Sequence, residues 1–170
     1  MTYHKPVLLA ESIEGLNIKP DGIYVDVTFG GGGHSKEILK NLKNGFLYGF
    51  DQDLDAEKNS IKSNNFKFIR SNFRYIKNFL RLEGVKKIDG LIADLGISSF
   101  QIDTPKRGFA HKHDSIIDMR MNVDSDFGAK DILNSYSEVE IARVFYDYGD
   151  IKQSRKIAKL IVKQRITKEI

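Results

Sequence analysis

The 170-residue chain contains no cysteine. No disulfide framework and no thiolate chemistry can therefore operate in it, and a cytoplasmic location is the expectation. Long apolar runs are also missing. The stretch Val7 to Ala10 ends at Glu11, too short for a signal peptide, and nothing later reaches the roughly 20 apolar residues of a membrane span. There is no internal repeat and no low-complexity tract. Two phosphate-binding signatures fail as well. Ser35 stands where Gly30 and Gly32 would need a third glycine for G-x-G-x-x-G, and no Gly-Lys-Ser/Thr occurs for a Walker A loop.

Net charge is small at +4, but it is unevenly spread. Residues 152 to 170 hold seven cations and one acid, which gives +6, while residues 1 to 151 sum to −2. Such a segment on a near-neutral body suits a polyanionic partner or a solvated helix face. With 41% hydrophobic and 29% charged residues the composition is that of a globular protein with one good core and room for an appendage.

Four apolar, β-rich runs are present: Ile23 to Phe29, Phe46 to Phe50, Phe66 to Ile69, and Ile88 to Leu95. Helix-like segments separate them. One opens at Ser35 as N-cap and closes at Asn44-Gly45, a second is capped by Asp53 and runs towards Asn64-Asn65, and a third covers Tyr75 to Leu82 before Gly84. The alternation predicts an α/β fold with a parallel sheet covered on both faces. Residues 96 to 130 carry mostly loop signals. Ser137 and Glu140 then form a capping box for a helix with Ile141, Val144, Phe145 and Tyr148 at helical spacing. A last helix from about Lys152 puts Ile157, Leu160 and Ile161 on one face and lysines on another. It runs to Ile170 without a cap, and strand four would lie near an open sheet edge, so the chain reads as a fragment.

The most informative stretch is VDVTFGGGGHS, residues 25 to 35. Four consecutive glycines cost chain entropy and contribute no packing, so something must approach the backbone closely there. They follow a strand and feed a helix whose first N–H groups favour an anionic group. Asp51 ends the second strand, 18 residues after Gly33, where an acid can accept the hydroxyls of a ribose diol. With dinucleotide and Walker patterns absent, S-adenosylmethionine suits the acids Asp26 and Asp51, and its carboxylate suits the glycine loop. On pattern alone, other nucleotide-binding α/β proteins and a merely tight turn stay open.

Seven blocks occur in order: HKPVLLAE (4–11), YVDVTFGGGGHS (24–35), FDQDLDA (50–56), ADLGISSFQID (93–103), RGF (107–109), DMRM (118–121) and YGDIKQSRKIAKLIVKQR (148–165). Together they resemble the MraW family of bacterial methyltransferases, which act on N4 of a cytosine in 16S ribosomal RNA. The resemblance covers essentially the whole chain. Leu54 and Phe100 stand where the family usually has proline, Ser115-Ile116 where it has Gly-Pro, and Asn122 where Asp is common.

The resemblance implies a Rossmann-like class I methyltransferase sheet, of which only the N-terminal strands are present, with an inserted, partly present helical domain. The expected division is residues 1–104 as the first part of the S-adenosylmethionine-binding domain and 105–170 as the incomplete inserted domain. Gly32, Gly33 and His34 are implied at the methionine part of the cofactor, Asp51 at the ribose and Phe73 at the adenine, with Asp94 and Gln101 completing the site. Asp94, Ser98 and Ser99, after strand four, are the catalytic candidates. Arg107, Lys152, Arg155, Lys156, Lys159 and Lys163 are the candidates for contact with RNA, and the small ribosomal subunit is the implied partner. An alternative is a catalytically incomplete chain that binds cofactor or RNA without turnover. His111, His113 and Asp114 are crowded and lack a fourth ligand, so no metal is expected. Oligomeric state is left open.

Overall fold

The computed structural model describes residues 6–170, so His4 and Lys5 of the first block lie outside it. Four strands form one sheet in the order β3-β2-β1-β4: β1 (Ile23–Asp26), β2 (Phe46–Asp51), β3 (Phe66–Arg70) and β4 (Gly90–Ile92). All neighbours are parallel, with Asp26 level with Gly49 of β2 and with Ile92 of β4. Side chains alternate between two buried layers, so both sheet faces read as apolar. Tyr24, Leu47 and Phe66 pack with Phe29, Ile38 and Leu42, while Val25, Tyr48, Phe50 and Ile69 pack with Leu80.

Helices α1 (Leu9–Leu16), α2 (Gly33–Asn41), α3 (Leu54–Glu57) and α4 (Ile76–Leu82) accompany the sheet. The sequence reading missed α1, whose Ile13 and Leu16 pack on the first layer. It also overextended α3. Asp53 does cap that helix, its carboxylate accepting the Asp55 amide at 3.0 Å, but the helix lasts four residues. Ser35 is not the N-cap of α2. Gly32 holds that position, and the buried Ser35 hydroxyl donates instead to Asp26 at 2.7 Å.

The expected long first and fourth strands end early. After Asp26 the chain still pairs locally, Val27 N–H with Ile92 O and Phe29 N–H with Phe50 O, but the Asp26 carboxylate takes the Thr28 amide and turns the chain into the glycine loop. Strand β4 shrinks to three residues at the sheet edge, where the chain past Ile92 has β1 on one side only. Leu91, Leu95 and Ile97 are left exposed, Leu95 at 70%.

The chain divides into two compact units. One comprises the described residues up to Phe100 with Met121–Val123, and the other Gln101–Arg120 with Asp124–Ile170. The second unit contains most of α5 (Ser99–Asp103), then α6 (Ala129–Ser135), α7 (Glu138–Gly149) and α8 (Ser154–Arg165). The capping box forms as expected, with Ser137 Oγ accepting the Glu140 amide and Glu140 accepting the Ser137 amide at 2.8 Å. Helices α7 and α8 pack through Ile141, Ala142 and Ala158, with Phe145, Ile161 and Val162 around them. Two expected core residues miss it: Tyr148 is 87% exposed and Leu160 58%. The small Ser154 and Ala158 fill the contact face of α8 instead. The chain end folds back, Ile170 N–H donating to Asn134 Oδ1 at 3.0 Å.

Candidate cofactor site

The glycine loop lies at the carboxyl ends of β1 and β2. Gly30 and Gly32 take left-handed conformations, with φ 50° and 72°. A side chain on Gly32 would also meet the Phe29 ring at 2.8 Å, and one on Gly33 would collide with the Pro6 ring. Two of the four glycines are therefore required partly by the protein's own packing. At Gly30 nothing but the Thr28 carbonyl comes within 4 Å of such a position, so the loop backbone is open there. Beyond it, α2 presents the first N–H groups of a nine-residue helix, which lack intrahelical acceptors.

Asp51 ties the loop to β2. Its Oδ2 accepts the Gly30 amide at 2.8 Å and its Oδ1 the Asp53 amide at 2.9 Å. A carboxylate offers about four lone-pair sites, so acceptor capacity for a diol is left on each oxygen. Burial pushes this carboxyl above the usual range, against the pull of both amides. The loop is braced from the other side by Asn59, whose Nδ2 donates to Gly30 O at 3.0 Å.

Asp26 sits beneath the loop, 2% exposed. Its Oδ2 accepts the Ser35 hydroxyl, and its Oδ1 accepts the Thr28 amide at 3.0 Å. Burial again raises the carboxyl, more than these donors lower it. Thr28 Oγ1 in turn accepts the main-chain amide of Asp94 at 2.7 Å. The Asp94 side chain itself is exposed, as is Ser99, while Ser98 is half-buried. Sequence reasoning did not single out Thr28. Its signal was a hydroxyl two residues beyond a strand-end acid.

His34 is buried in the first turn of α2, and its Nε2 donates to Val7 O at 3.1 Å. It therefore holds the segment before α1 against α2. Phe73 opens a short 3₁₀ turn after β3 and is 43% exposed. The preceding Ser71 amide donates to Asp51 O, and Asn72 Nδ2 donates to Gln52 Oε1, which fixes the turn beside the end of β2. The first unit thus brings together the glycine loop, His34, Asp51, Phe73 and, through Thr28, Asp94. Gln101 is buried on α5 within the second unit.

Among the candidates for RNA contact, Arg107 needs correction. It is 3% exposed, its Nη2 donates to Arg120 O at 2.8 Å, and its guanidinium lies over the Phe109 ring at 5.9 Å. A cation so enclosed holds its own unit together and offers no surface to a phosphate. Arg120 similarly grips Asp118, with Nη2 to Oδ2 at 2.7 Å. Met119 is 47% exposed with φ 55°. By contrast Lys152, Arg155, Lys156, Lys159 and Lys163 are all exposed, and none of them forms an ion pair among the described residues. No helix among the described residues is long and apolar enough to cross a membrane.

A parallel sheet with an open glycine loop after its first strand, an acid closing its second and no dinucleotide signature defines a Rossmann-like protein of the nucleoside-cofactor-binding class. A family model described as the MraW methylase family matches residues 1–170, and the chain belongs to that family. The chain is 58% identical over 170 residues to the ribosomal RNA small subunit methyltransferase H of Cytophaga hutchinsonii, covering 99% of this chain and 57% of that protein. The enzyme of the same name from Parabacteroides distasonis is 57% identical over 170 residues, and that from Bacteroides thetaiotaomicron 54% over 166. These alignments cover 99% and 97% of this chain but 56% and 55% of the relatives. The chain spans little more than half the length of the curated relatives it matches.

Proposed function

We propose that this chain is the cofactor-binding portion of an S-adenosylmethionine-dependent methyltransferase that modifies the N4 amine of a cytosine in 16S ribosomal RNA, acting in the cytoplasm. The observation that carries the reading is Asp51, a partly buried carboxylate clasping the Gly30 amide at 2.8 Å while keeping acceptor capacity for a ribose. The residues fit the cofactor. Gly32, Gly33 and the start of α2 would hold its carboxylate, with His34 keeping that turn packed. Asp51 would accept its hydroxyls, the exposed Phe73 ring would stack on its adenine, and Asp94 would close the site.

When bound, S-adenosylmethionine supplies a methyl group on a positively charged sulfur. The protein's work is to align a weakly nucleophilic amine and to accept its proton. Asp94 is the candidate for this task, its carboxylate accepting an amine N–H and so localising the nitrogen lone pair. Ser98 and Ser99 would contact the base or shape the loop. Residues 1–104 would form the first part of the cofactor domain and 105–170 part of the inserted helical domain. On that second part, the five exposed cations from Lys152 to Lys163 would follow the RNA backbone, supplying affinity rather than sequence choice.

A second reading is favoured by the exposed apolar residues along β4 and by the 55–57% coverage of the relatives. On it, the 170-residue chain binds cofactor or RNA but does not turn over. Transfer of labelled methyl to small ribosomal subunits, with the modified base identified, separates the two. Methylated cytosine supports the first reading. Binding of cofactor or RNA without transfer supports the second, and binding of neither overturns both.

A further inference from the structure

The carboxyl ends of β1 and β4 are joined beyond the last strand pairing by one side chain. Thr28 lies two residues past β1, between the buried Asp26 and the exposed loop after β4. Its amide donates to Asp26 Oδ1 at 3.0 Å, and its hydroxyl oxygen accepts the Asp94 amide at 2.7 Å. Among the described residues the Thr28 hydroxyl hydrogen has one approach within reach, a long one of 3.5 Å to the same Asp26 oxygen. Asp26 is held in turn by Ser35, in the first turn of α2. The chain of bonds therefore runs from the helix that follows the glycine loop, through a carboxylate with almost no solvent contact, to the main chain of Asp94.

We propose that Thr28 is a positioning residue, whose hydroxyl oxygen fixes Asp94 at the height of the glycine loop so that one ligand can touch both. The proposal rests on the cofactor reading above. Its physical basis is that Asp94 lies past the end of β4, which has a neighbouring strand only in β1. With Val27 N–H bonded to Ile92 O, the next brace towards Asp94 is a side chain rather than a ladder bond. A buried acid makes that brace rigid, because the Asp26 carboxylate is costly to bury and keeps its donors.

The test compares Thr28→Val, which preserves shape but removes the acceptor, with Thr28→Ser, which restores it. S-adenosylmethionine affinity by calorimetry and amide hydrogen exchange at Asp94 are read on the 170-residue chain, with thermal unfolding as a check on folding. The expected result is roughly tenfold weaker binding and faster Asp94 exchange in Thr28→Val, with Thr28→Ser within about twofold of the parent. Parent-like binding by Thr28→Val overturns the proposal. So does a Thr28→Ser as weak as Thr28→Val, since the methyl group would then be what matters. If the parent chain binds no S-adenosylmethionine, the cofactor reading fails separately. Exchange at Asp94 then still decides the brace: acceleration in Thr28→Val supports it, and an unchanged rate overturns it.

Discussion

The two units use charge in opposite ways. In the first, Asp26 and Asp51 are drawn under a glycine loop, where burial raises both carboxyls and each oxygen has an assigned donor. In the second, five exposed cations stand without an ion pair among the described residues, Lys152 just before α8 and Arg155, Lys156, Lys159 and Lys163 on it. A buried charge must be met by neighbours or it destabilises the fold, so it can hold a ligand at a fixed place. Exposed cations cost nothing to leave unmet and can attract a polyanion of variable path. Within the second unit the contrast recurs between Arg107, enclosed and bonded to Arg120 O, and the α8 stripe.

The contrast can be broken or sharpened by substitution. The largest effect is expected from Phe50→Ala, which empties a fully buried place in the sheet. It should cost about 3–5 kcal/mol of stability by denaturant unfolding, and with it the cofactor site. Next, Asp51→Ala should weaken S-adenosylmethionine binding by about 1–3 kcal/mol by calorimetry of the folded variant; unchanged affinity would remove Asp51 from the site. The same carboxyl gives a pH test. Because burial raises its pKa and the ionised form accepts the ribose hydroxyls, affinity should hold at neutral pH. It should fall as pH drops through a value above the usual carboxylate range. Asp51→Asn should bind weakly at all pH values and lose that acid limb.

A smaller effect is expected from Gly32→Ala, which forces a side chain into a left-handed conformation against Phe29 and should cost about 1–2 kcal/mol in thermal or denaturant unfolding. The least effect on stability, within about 0.5 kcal/mol, is expected when Lys152, Lys156 and Lys159 are all changed to Gln. RNA binding should nevertheless weaken, and the slope of log affinity against log salt should flatten by roughly 2 for three lost phosphate contacts with a single strand. An unaltered slope would make the stripe a solvated face.

Much of this was visible in the order of residues. Four apolar runs with capped helices between them already implied a parallel sheet, and Ser137 with Glu140 announced α7 at its first residue. The errors came where a local pattern competed with a distant partner. Ser35 resembles an N-cap, yet Asp26, nine residues earlier, takes its hydroxyl. Tyr148 keeps helical spacing with Ile141 and Phe145 but is left exposed at the end of α7. Arg107 stands among the candidates for RNA contact, and the fold encloses it beside the Phe109 ring.

What the sequence determined alone was the kind of layer each segment enters, because apolar spacing and capping are local and act on a few neighbouring residues. It also marked a turn of bare main chain after the first strand, since four glycines contribute no packing of their own. Which oxygen each loop amide would meet, and that Thr28 would join β1 to the approach of Asp94, only the tertiary structure decided. Those partners lie 21 and 66 residues apart in the chain. Parallel pairing through crossovers brings them within 3 Å, and no local periodicity encodes such a meeting.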